Sequence, residues 1–141
     1  MIYPANFEGR VGFDRIRSQI IDACSMQSSR EMIASESFSR SMRDITERLE
    51  LADQMRQVIM MEPGADIGEQ EDIREIVDKI GVEGSYLTSE ECATLCRSLR
   101  LAASIVGFIL SRKEGSYPAL ERLSRRVEIF SHLQSAIERV V

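Results

Sequence analysis

The side chains of this chain that could do chemistry are three cysteines and a single histidine. Cys92 and Cys96 lie four positions apart, which places them on one face of a helix and within reach of a shared metal ion. A structural zinc site needs about four ligands, however, and the only histidine, His132, is distant in sequence. We therefore interpret Cys92, Cys96 and Cys24 as core residues of helices rather than as a metal site or a redox pair.

The histidine and the acidic residues also lack a catalytic pattern. A histidine that acts as a general base requires a nucleophile and an orienting acid, so we interpret His132 as a surface residue close to a helix cap. A group of acids in residues 69–78 lacks the alternating spacing of a calcium loop. Their spacing is typical of a solvated helix face and of the first turn that the helix dipole favours. These acids are Glu69, Glu71, Asp72, Glu75 and Asp78.

Phosphate-binding patterns are absent from the sequence. No glycine is followed by lysine, and the spacing GxGxxG does not occur, so we expect no ATP binding or hydrolysis in those modes. The best basic cluster is Arg122, Arg125, Arg126 and Arg139, and the spacing of the first three places them on one helix face. Arg112 and Lys113 are nearby in sequence, and the acids Glu121, Glu128 and Glu138 interleave with the cluster. We predict a mixed charged face there, and no catalytic, cofactor-binding or metal-binding residue in the chain.

Length and composition predict one helical region over residues 1–141. A chain of this length matches one domain, and 43% hydrophobic with 29% charged residues is ordinary for a folded soluble protein. Tryptophan is absent and aromatic residues make up only 6%, so aliphatic residues and seven methionines must fill the core, which favours helices over sheets. The net charge of −5 argues against autonomous nucleic-acid binding.

The sequence also indicates where the protein is found. Three cysteines without paired spacing argue against a disulfide framework and for a reducing, cytoplasmic setting. The start MIYPANFEGR has no basic leader followed by an apolar core, so we expect no signal peptide. No apolar run approaches about 20 residues, and we therefore expect no membrane span.

The periodicity of apolar residues predicts an all-α, elongated multi-helix bundle with two long amphipathic helices. The first long helix spans residues 41–62, is capped by Ser41 and Asp44, and ends at Pro63–Gly64. Its predicted apolar stripe is Ile45, Leu49, Ala52, Met55 and Ile59. The second spans residues 89–113 and begins with the capping-box pair Thr88 and Glu91. Its predicted stripe is Cys92, Leu95, Cys96, Leu99, Ala103, Val106 and Leu110.

Shorter elements are predicted around these two helices. Residues 1–9 are expected to be extended, since Tyr3 precedes Pro4. A helix over residues 12–25 should bury Phe13, Ile16, Ile20 and Cys24, and a short helix should follow from a Ser28–Glu31 capping box. The loop 63–70 is expected to be solvated and mobile. A short helix from about residue 71 should end in a turn at Gly81 and Gly84. Helices starting at Pro118, with Leu120, Leu123 and Val127, and at a Ser131 cap complete the chain.

The final helix keeps its apolar period to the last residue, through Ile137, Val140 and Val141. A natural terminus usually frays into polar residues. This pattern predicts that residues 1–141 are the N-terminal fragment of a longer multidomain protein.

Five stretches, in order, resemble the N-terminal region of one branch of the MutS family. They are GFDRIR (12–17), ITERLEL (45–51), DIRE (72–75), VEGSYLTSEE (82–91) and YPAL (117–120). The branch is the bacterial MutS paralogue type that lacks the mismatch-recognition domain and usually ends in a Smr nuclease domain. Ser28–Ser29 is a departure, because that family often has a glycine before the second helix.

The resemblance implies that this chain is a helical core and lever region. In that family the lever joins a DNA clamp to a C-terminal ATPase that dimerises, with ATP and Mg as cofactors of the full-length protein. Such proteins act in DNA repair, in control of recombination and in rescue of stalled ribosomes, and some are endonucleases. The expected partners are thus the rest of the chain, a second copy and DNA. Two alternatives are a self-standing helical adaptor that binds a protein partner, and a small enzyme using Cys92 or His132.

Overall fold

The computed structural model describes residues 6–65, 67, 68 and 70–139. This part of the chain forms eight α-helices and no β-strand, which confirms the predicted all-α class. Packing divides the chain into two compact units, Met1–Phe38 and Ser39–Val141, and each is described by itself. That residues 1–141 form a single lever region stays a prediction.

The first unit contains three short helices. They are α1 (Phe7–Arg10), α2 (Phe13–Ala23) and α3 (Gln27–Ser35). Gly12 precedes α2 with a φ of 75°, a left-handed conformation that glycine adopts without strain. Arg17 on α2 holds the unit together, because it forms an ion pair with Glu8 at 2.7 Å and donates to the carbonyl of Glu36 at 3.0 Å.

Several predictions for the first unit are wrong. The expected extended segment becomes helical from Phe7, while Tyr3 and Pro4 lie outside the described residues. The predicted buried face is open: Phe13, Ile16 and Ile20 are 37%, 51% and 45% exposed. Periodicity identifies the apolar face of a helix but does not supply an element to cover it.

The start of α3 also differs from its prediction. The helix begins at Gln27 with Met26 at the N-cap, and no side chain caps it. The Ser28–Glu31 spacing therefore does not produce a capping box. Glu31 instead accepts a hydrogen bond from the side chain of Gln27 at 2.9 Å, within the helix. The predicted break at residues 37–39 is confirmed, since the chain is irregular from Glu36 to Ser41.

The second unit holds the two long helices. Its elements are α4 (Met42–Met61), α5 (Arg74–Ile80), α6 (Ser89–Leu110), α7 (Pro118–Ser124) and α8 (Ser131–Glu138). The short helix α7 packs against both α4 and α6, and α8 packs against α6. A core cluster of Val58, Ile109, Tyr117 and Leu120 lies where α4, α6 and α7 meet.

The bounds of α4 match their prediction, but its buried face does not. Ser41 accepts a hydrogen bond from the backbone amide of Asp44 at 3.3 Å, and the helix ends just before Pro63–Gly64. Leu49 and Ile59 of the predicted stripe are 66% and 58% exposed, and Ala52 is exposed as well. The residues that pack against the core are Leu51, Met55 and Val58. Because α4 carries apolar residues on several sides, only its contact with α7 and α6 selects the buried one.

The loop after α4 is only partly solvated. Ala65 packs against the core cluster and Ile67 is half-buried, so the prediction of a solvated loop is wrong for these two residues. The turn after α5 follows the prediction at Gly84, whose φ is 80°. Gly81 caps α5 with a φ of −68°, a conformation open to any residue, so only Gly84 requires glycine.

The capping box at the start of α6 is confirmed. Thr88 accepts a hydrogen bond from the amide of Glu91 at 3.2 Å, and the Glu91 carboxylate accepts one from the amide of Thr88 at 2.7 Å. Leu95 and Cys96 of the predicted stripe are buried. The helix ends at Leu110 rather than Lys113, and at this end Ile109 is buried while Leu110 is 40% exposed.

The last two helices agree with the sequence in position and differ at their caps. Pro118 occupies the first turn of α7 as predicted, but Leu123 and Val127 are 46% and 42% exposed. Ser131 is the first residue of α8 rather than its cap, which is Phe130 without a side-chain hydrogen bond. Val140 and Val141 lie outside the described residues.

By length and hydropathy, α6 resembles a membrane-spanning helix. Its 22 residues are apolar enough to cross a bilayer, and it is the one such helix in the described part of the chain. The expectation that no segment spans a membrane stays a prediction. One such helix is weak support for a membrane span, because the core helix of a soluble protein can have the same length and composition.

Candidate functional site

The junction of α4, α6 and α7 is the best-built site of the second unit. Val58 is 2% exposed and Ile109 is 3% exposed, and they form one apolar cluster with Tyr117 and Leu120. The cluster joins the C-terminal parts of both long helices through the first turn of α7. Burial of apolar surface of this kind stabilises a fold more than any exposed contact.

A carboxylate ties the three helices together beside this core. Glu62, the C-cap of α4, accepts a hydrogen bond from the Tyr117 hydroxyl at 2.7 Å and one from Arg112 at 3.1 Å. These partners lie 55 and 50 residues further along the chain. Arg112 also lies over the ring of Phe108, with its guanidinium carbon 4.4 Å from the ring centroid. One side chain thereby fixes the ends of α4 and α6 to the start of α7.

The hydrogen bonds at Glu62 shift the pKa values of Glu62 and Tyr117. The Tyr117 hydroxyl, and secondarily Arg112, lower the pKa of Glu62 from its ordinary value of 4.5 because both donate to the ionised carboxylate. In return, the hydrogen bond to Glu62, followed by burial, raises the pKa of Tyr117 above 10.0. An ionised Glu62 and a neutral Tyr117 are thus the paired forms at neutral pH.

Gln54 supplies the cap that α7 lacks in its own sequence. No side chain of the Tyr117 N-cap accepts a hydrogen bond. Instead Gln54 on α4 accepts hydrogen bonds from the backbone amides of Ala119 and Leu120, at 2.9 and 3.1 Å. The amides at a helix start have no partner within the helix, so this contact joins helix capping to tertiary packing.

A small apolar cavity lies beside the junction. Its volume is about 40 Å³, and it is lined by Met55, Val58, Gly64, Ala65, Ile67, Ser104, Ile105, Phe108 and Ile109. None of these lining residues is titratable or nucleophilic except the Ser104 hydroxyl. The space admits a methyl-sized group rather than a substrate. The lining of this cavity therefore offers no acid–base chemistry.

The burial of the cysteines agrees only in part with their prediction. Cys96 is buried, as expected for a core residue, whereas Cys24 and Cys92 are half-buried. All three are free thiols. Among the described residues, no group of three or more His, Cys, Asp or Glu side chains is close enough to hold one metal ion.

The predicted polar residues mostly lie at the surface. His132 is exposed in the first turn of α8, as its prediction stated. Since α5 begins only at Arg74, Glu71 and Asp72 precede the helix, and Asp78 lies towards its end. Only Glu75 thus occupies the first turn, whereas Asp78 lies on the exposed face of the helix and Asp72 accepts a hydrogen bond from the backbone amide of Arg74. The prediction of helical positions is wrong for Glu71 and Asp72. Glu69 lies outside the described residues.

Two of these acids have arginine partners. Glu71 pairs with Arg97 on α6 at 2.8 Å, and Asp72 pairs with Arg74 at 2.8 Å. The first pair joins the segment before α5 to α6, whereas the second is local. Glu71 and Asp72 therefore form surface ion pairs.

The basic cluster is mixed with acids, but the acid that pairs with Arg122 comes from another helix. Arg122 pairs with Glu50 on α4 at 3.4 Å, and Arg125 and Arg126 are exposed after α7. The interleaved Glu121 accepts backbone hydrogen bonds from Gly115 and Tyr117 at 3.0 and 3.4 Å. The charged face was predicted, but the acid that neutralises Arg122 was not among the glutamates next to it in sequence.

Sequence reasoning missed the residues that carry the long-range polar contacts of the second unit. Gln54, Glu62, Arg100 and Glu138 carry contacts between elements that are 38 to 66 residues apart in the chain. A glutamine or glutamate on a helix looks the same whether it faces solvent or a distant amide. No local signal distinguishes these four residues.

Comparison with family models, with curated proteins and with solved structures finds no match to this chain. The resemblance to the MutS family therefore depends on the five sequence stretches alone.

Proposed function

We propose that this chain is a non-catalytic helical scaffold of a MutS-type DNA-processing ATPase. In this proposal it is the core and lever region of an elongated cytoplasmic protein, and it couples the ATPase to a DNA clamp. ATP and Mg would bind elsewhere in the full-length protein, which would act on DNA as a homodimer. The observation that carries the proposal is the junction, which fixes two long helices to each other at one end.

The arrangement of α4 and α6 supports a mechanical role. Their mutual contacts involve C-terminal residues such as Val58 and Ile109, and α7 lies against both of them. Two stiff helices fixed at one end move together, so a displacement of one is passed to the other. Helices that move as rigid bodies about short connections are a common means of coupling distant sites.

Exposed apolar side chains on α4 support a role inside a larger protein. Met42, Leu49 and Ile59 are 75%, 66% and 58% exposed. Large exposed apolar surface is typical of an interface with further protein. In the proposal, the clamp and ATPase parts of the same chain cover such residues.

The first test is the coding sequence that follows Val141. The proposal expects a GK[ST] phosphate-binding loop downstream, in the same reading frame. If the gene ends near Val141 without one, the lever proposal is wrong and a self-standing adaptor takes its place.

The second test uses the protein of residues 1–141. We expect no ATP hydrolysis and little DNA affinity at about 0.15 M salt, because the chain is acidic. Tight, salt-sensitive DNA binding that is lost when Arg122, Arg125 and Arg126 are changed to alanine would overturn the view of a passive lever. A matched control replaces Arg10, Arg15 and Arg30 of the first unit by alanine.

The third test addresses coupling in the intact protein. Gln54→Ala removes the contact from α4 to α7 without changing charge. We expect it to reduce the stimulation of ATP hydrolysis by DNA while hydrolysis without DNA is retained. Equal loss of both activities would indicate a folding defect, and equal retention would show that the junction does not couple them.

A further inference from the structure

The C-terminal helix α8 is weakly built by itself. It has eight residues, none of them buried, no side-chain cap at its start and no basic residue in its last turn. An isolated helix of this length is unstable in water. Its presence in the fold therefore depends on its contacts with α6.

The polar contact between α8 and α6 is an exposed ion pair. Arg100 on α6 donates through Nε to Glu138 on α8 at 2.9 Å, and the two side chains are 60% and 43% exposed. The thiol of Cys96 lies 3.9 Å from the same carboxylate oxygen. Exposed pairs of this kind contribute little to stability and weaken as salt increases. Glu138 thus lies over a buried thiol but is held there by a weak interaction.

Packing beneath α8 is incomplete. An open cleft of about 290 Å³ lies between parts of the two helices, and its lining includes Cys96 and Arg100 of α6 and Ile137 and Glu138 of α8. The side-chain amide nitrogen of Gln134 is buried without a hydrogen-bond partner among the described residues. Gln134 shares a helix face with Ile137 and Glu138 by its spacing of three and four. An unpaired buried donor disfavours the closed arrangement.

We propose that α8 is a displaceable strap that opens from α6 in the folded protein and thereby uncovers Cys96. The Arg100–Glu138 pair closes the strap, and the unpaired Gln134 amide favours its opening. Opening frees Arg100 and exposes the α6 face around Cys96, while the junction of α4, α6 and α7 stays intact. The inference is independent of the proposed coupling function.

The test is the alkylation rate of each thiol by iodoacetamide in the native protein, resolved by peptide mass spectrometry. Cys24, which is half-buried in the first unit, serves as the internal reference. We expect Glu138→Gln to increase the Cys96 rate by about two- to fivefold, the range that loss of an exposed ion pair gives. Sodium chloride should increase the wild-type rate and change that of the variant less.

Two further variants make the test specific. Glu50→Gln breaks the Arg122–Glu50 pair, whose side chains are 59% and 48% exposed, and should leave the Cys96 rate unchanged. Gln134→Leu replaces the unpaired amide by an apolar group and should decrease the Cys96 rate.

Three outcomes would overturn the strap. They are an unchanged Cys96 rate in Glu138→Gln, an equal increase in Glu50→Gln, and a wild-type Cys96 rate equal to that of global unfolding. The rate expected from global unfolding follows from the free energy of unfolding, which is measured by circular dichroism in denaturant and extrapolated to water. Loss of folding in Glu138→Gln would leave Gln134→Leu and the wild-type salt series to decide, and both must follow the stated direction.

Discussion

The two halves of α6 are held by different kinds of contact. At its C-terminal end, Ile109 joins Val58 and Leu120 in a buried cluster shared by three helices. In its N-terminal half, Leu95 and Cys96 are buried, yet neither of the helices α5 and α8 contributes a buried residue. The difference teaches that one long helix can share a buried core with its neighbours at one end, while at the other its neighbours contribute no buried residue and are joined to it by ion pairs.

Ion pairs join the N-terminal half to the elements around it. Lys79 on α5 pairs with Glu91 at 2.8 Å, and Glu71 and Glu138 pair with Arg97 and Arg100. Their side chains keep between 29% and 60% of their surface exposed. Water and salt screen such pairs, so they set the position of α5 and α8 more than they stabilise the fold.

The largest effect should come from Leu120→Ala at the junction. Leu120 is 6% exposed, and truncating a buried leucine costs about 2 to 5 kcal/mol of unfolding free energy. Leu133→Ala on α8, where the side chain is 44% exposed, is the matched control and should cost much less. Urea unfolding followed by circular dichroism measures both. Similar losses in the two variants would remove the contrast between the ends of α6.

A smaller effect is expected for Gln54→Ala. The change leaves the amides of Ala119 and Leu120 without their acceptor, which should cost about 0.5 to 2 kcal/mol, as for other helix caps. Gln57→Ala is the control, because Gln57 contacts only Asp53 within the same helix among its observed hydrogen bonds. That control should change stability by less than about 0.5 kcal/mol. Equal losses of unfolding free energy in the two glutamine variants would mean that the Gln54 cap does not stabilise the junction.

Capping shows which part of the fold could be predicted. Thr88 with Glu91 and Ser41 with Asp44 are local pairs, and both were predicted because the donor and acceptor lie within one turn. The cap of α7 comes from Gln54, whose partners are 65 and 66 residues away. A local pattern contains no information on such a contact.

The burial of side chains likewise separates what local sequence predicts from what only tertiary contacts decide. The bounds of both long helices followed from caps, glycine and proline, to within three residues. The face of α4 that is buried did not, because Leu49 and Ile59 are as apolar as Met55 and Val58. Only the position of α7 decides between the two faces. The candidate junction was therefore beyond sequence reasoning, although Tyr117 and Leu120 belonged to the YPAL stretch that the resemblance used.

The pH dependence of stability tests the carboxylate at the junction. The pKa of Glu62 is lowered in the folded protein, so the unfolded state binds its proton first as the pH falls. The stability that Glu62 contributes is complete above its ordinary pKa of 4.5 and is lost as the pH falls from there through its folded value. The destabilisation caused by Glu62→Gln should therefore be largest at about pH 7 and shrink below pH 4.5, measured by urea unfolding at each pH. A difference that does not vary with pH would show that the ionised form is not what binds Tyr117 and Arg112.

The smallest effect should come from Arg97→Ala in the N-terminal half of α6. Arg97 pairs with Glu71 at 2.8 Å, but the two side chains are 57% and 46% exposed, so the loss should be about 0.2 to 1 kcal/mol. Because bulk salt already screens this pair, the difference from wild type should decrease further between about 0.05 and 0.5 M sodium chloride. Urea unfolding at the two salt concentrations measures it, with Glu71→Gln as the reciprocal variant. A salt-independent loss as large as that of Leu120→Ala would mean that the segment before α5 is fixed as firmly as the junction, and α6 would then be rigidly held along its whole length.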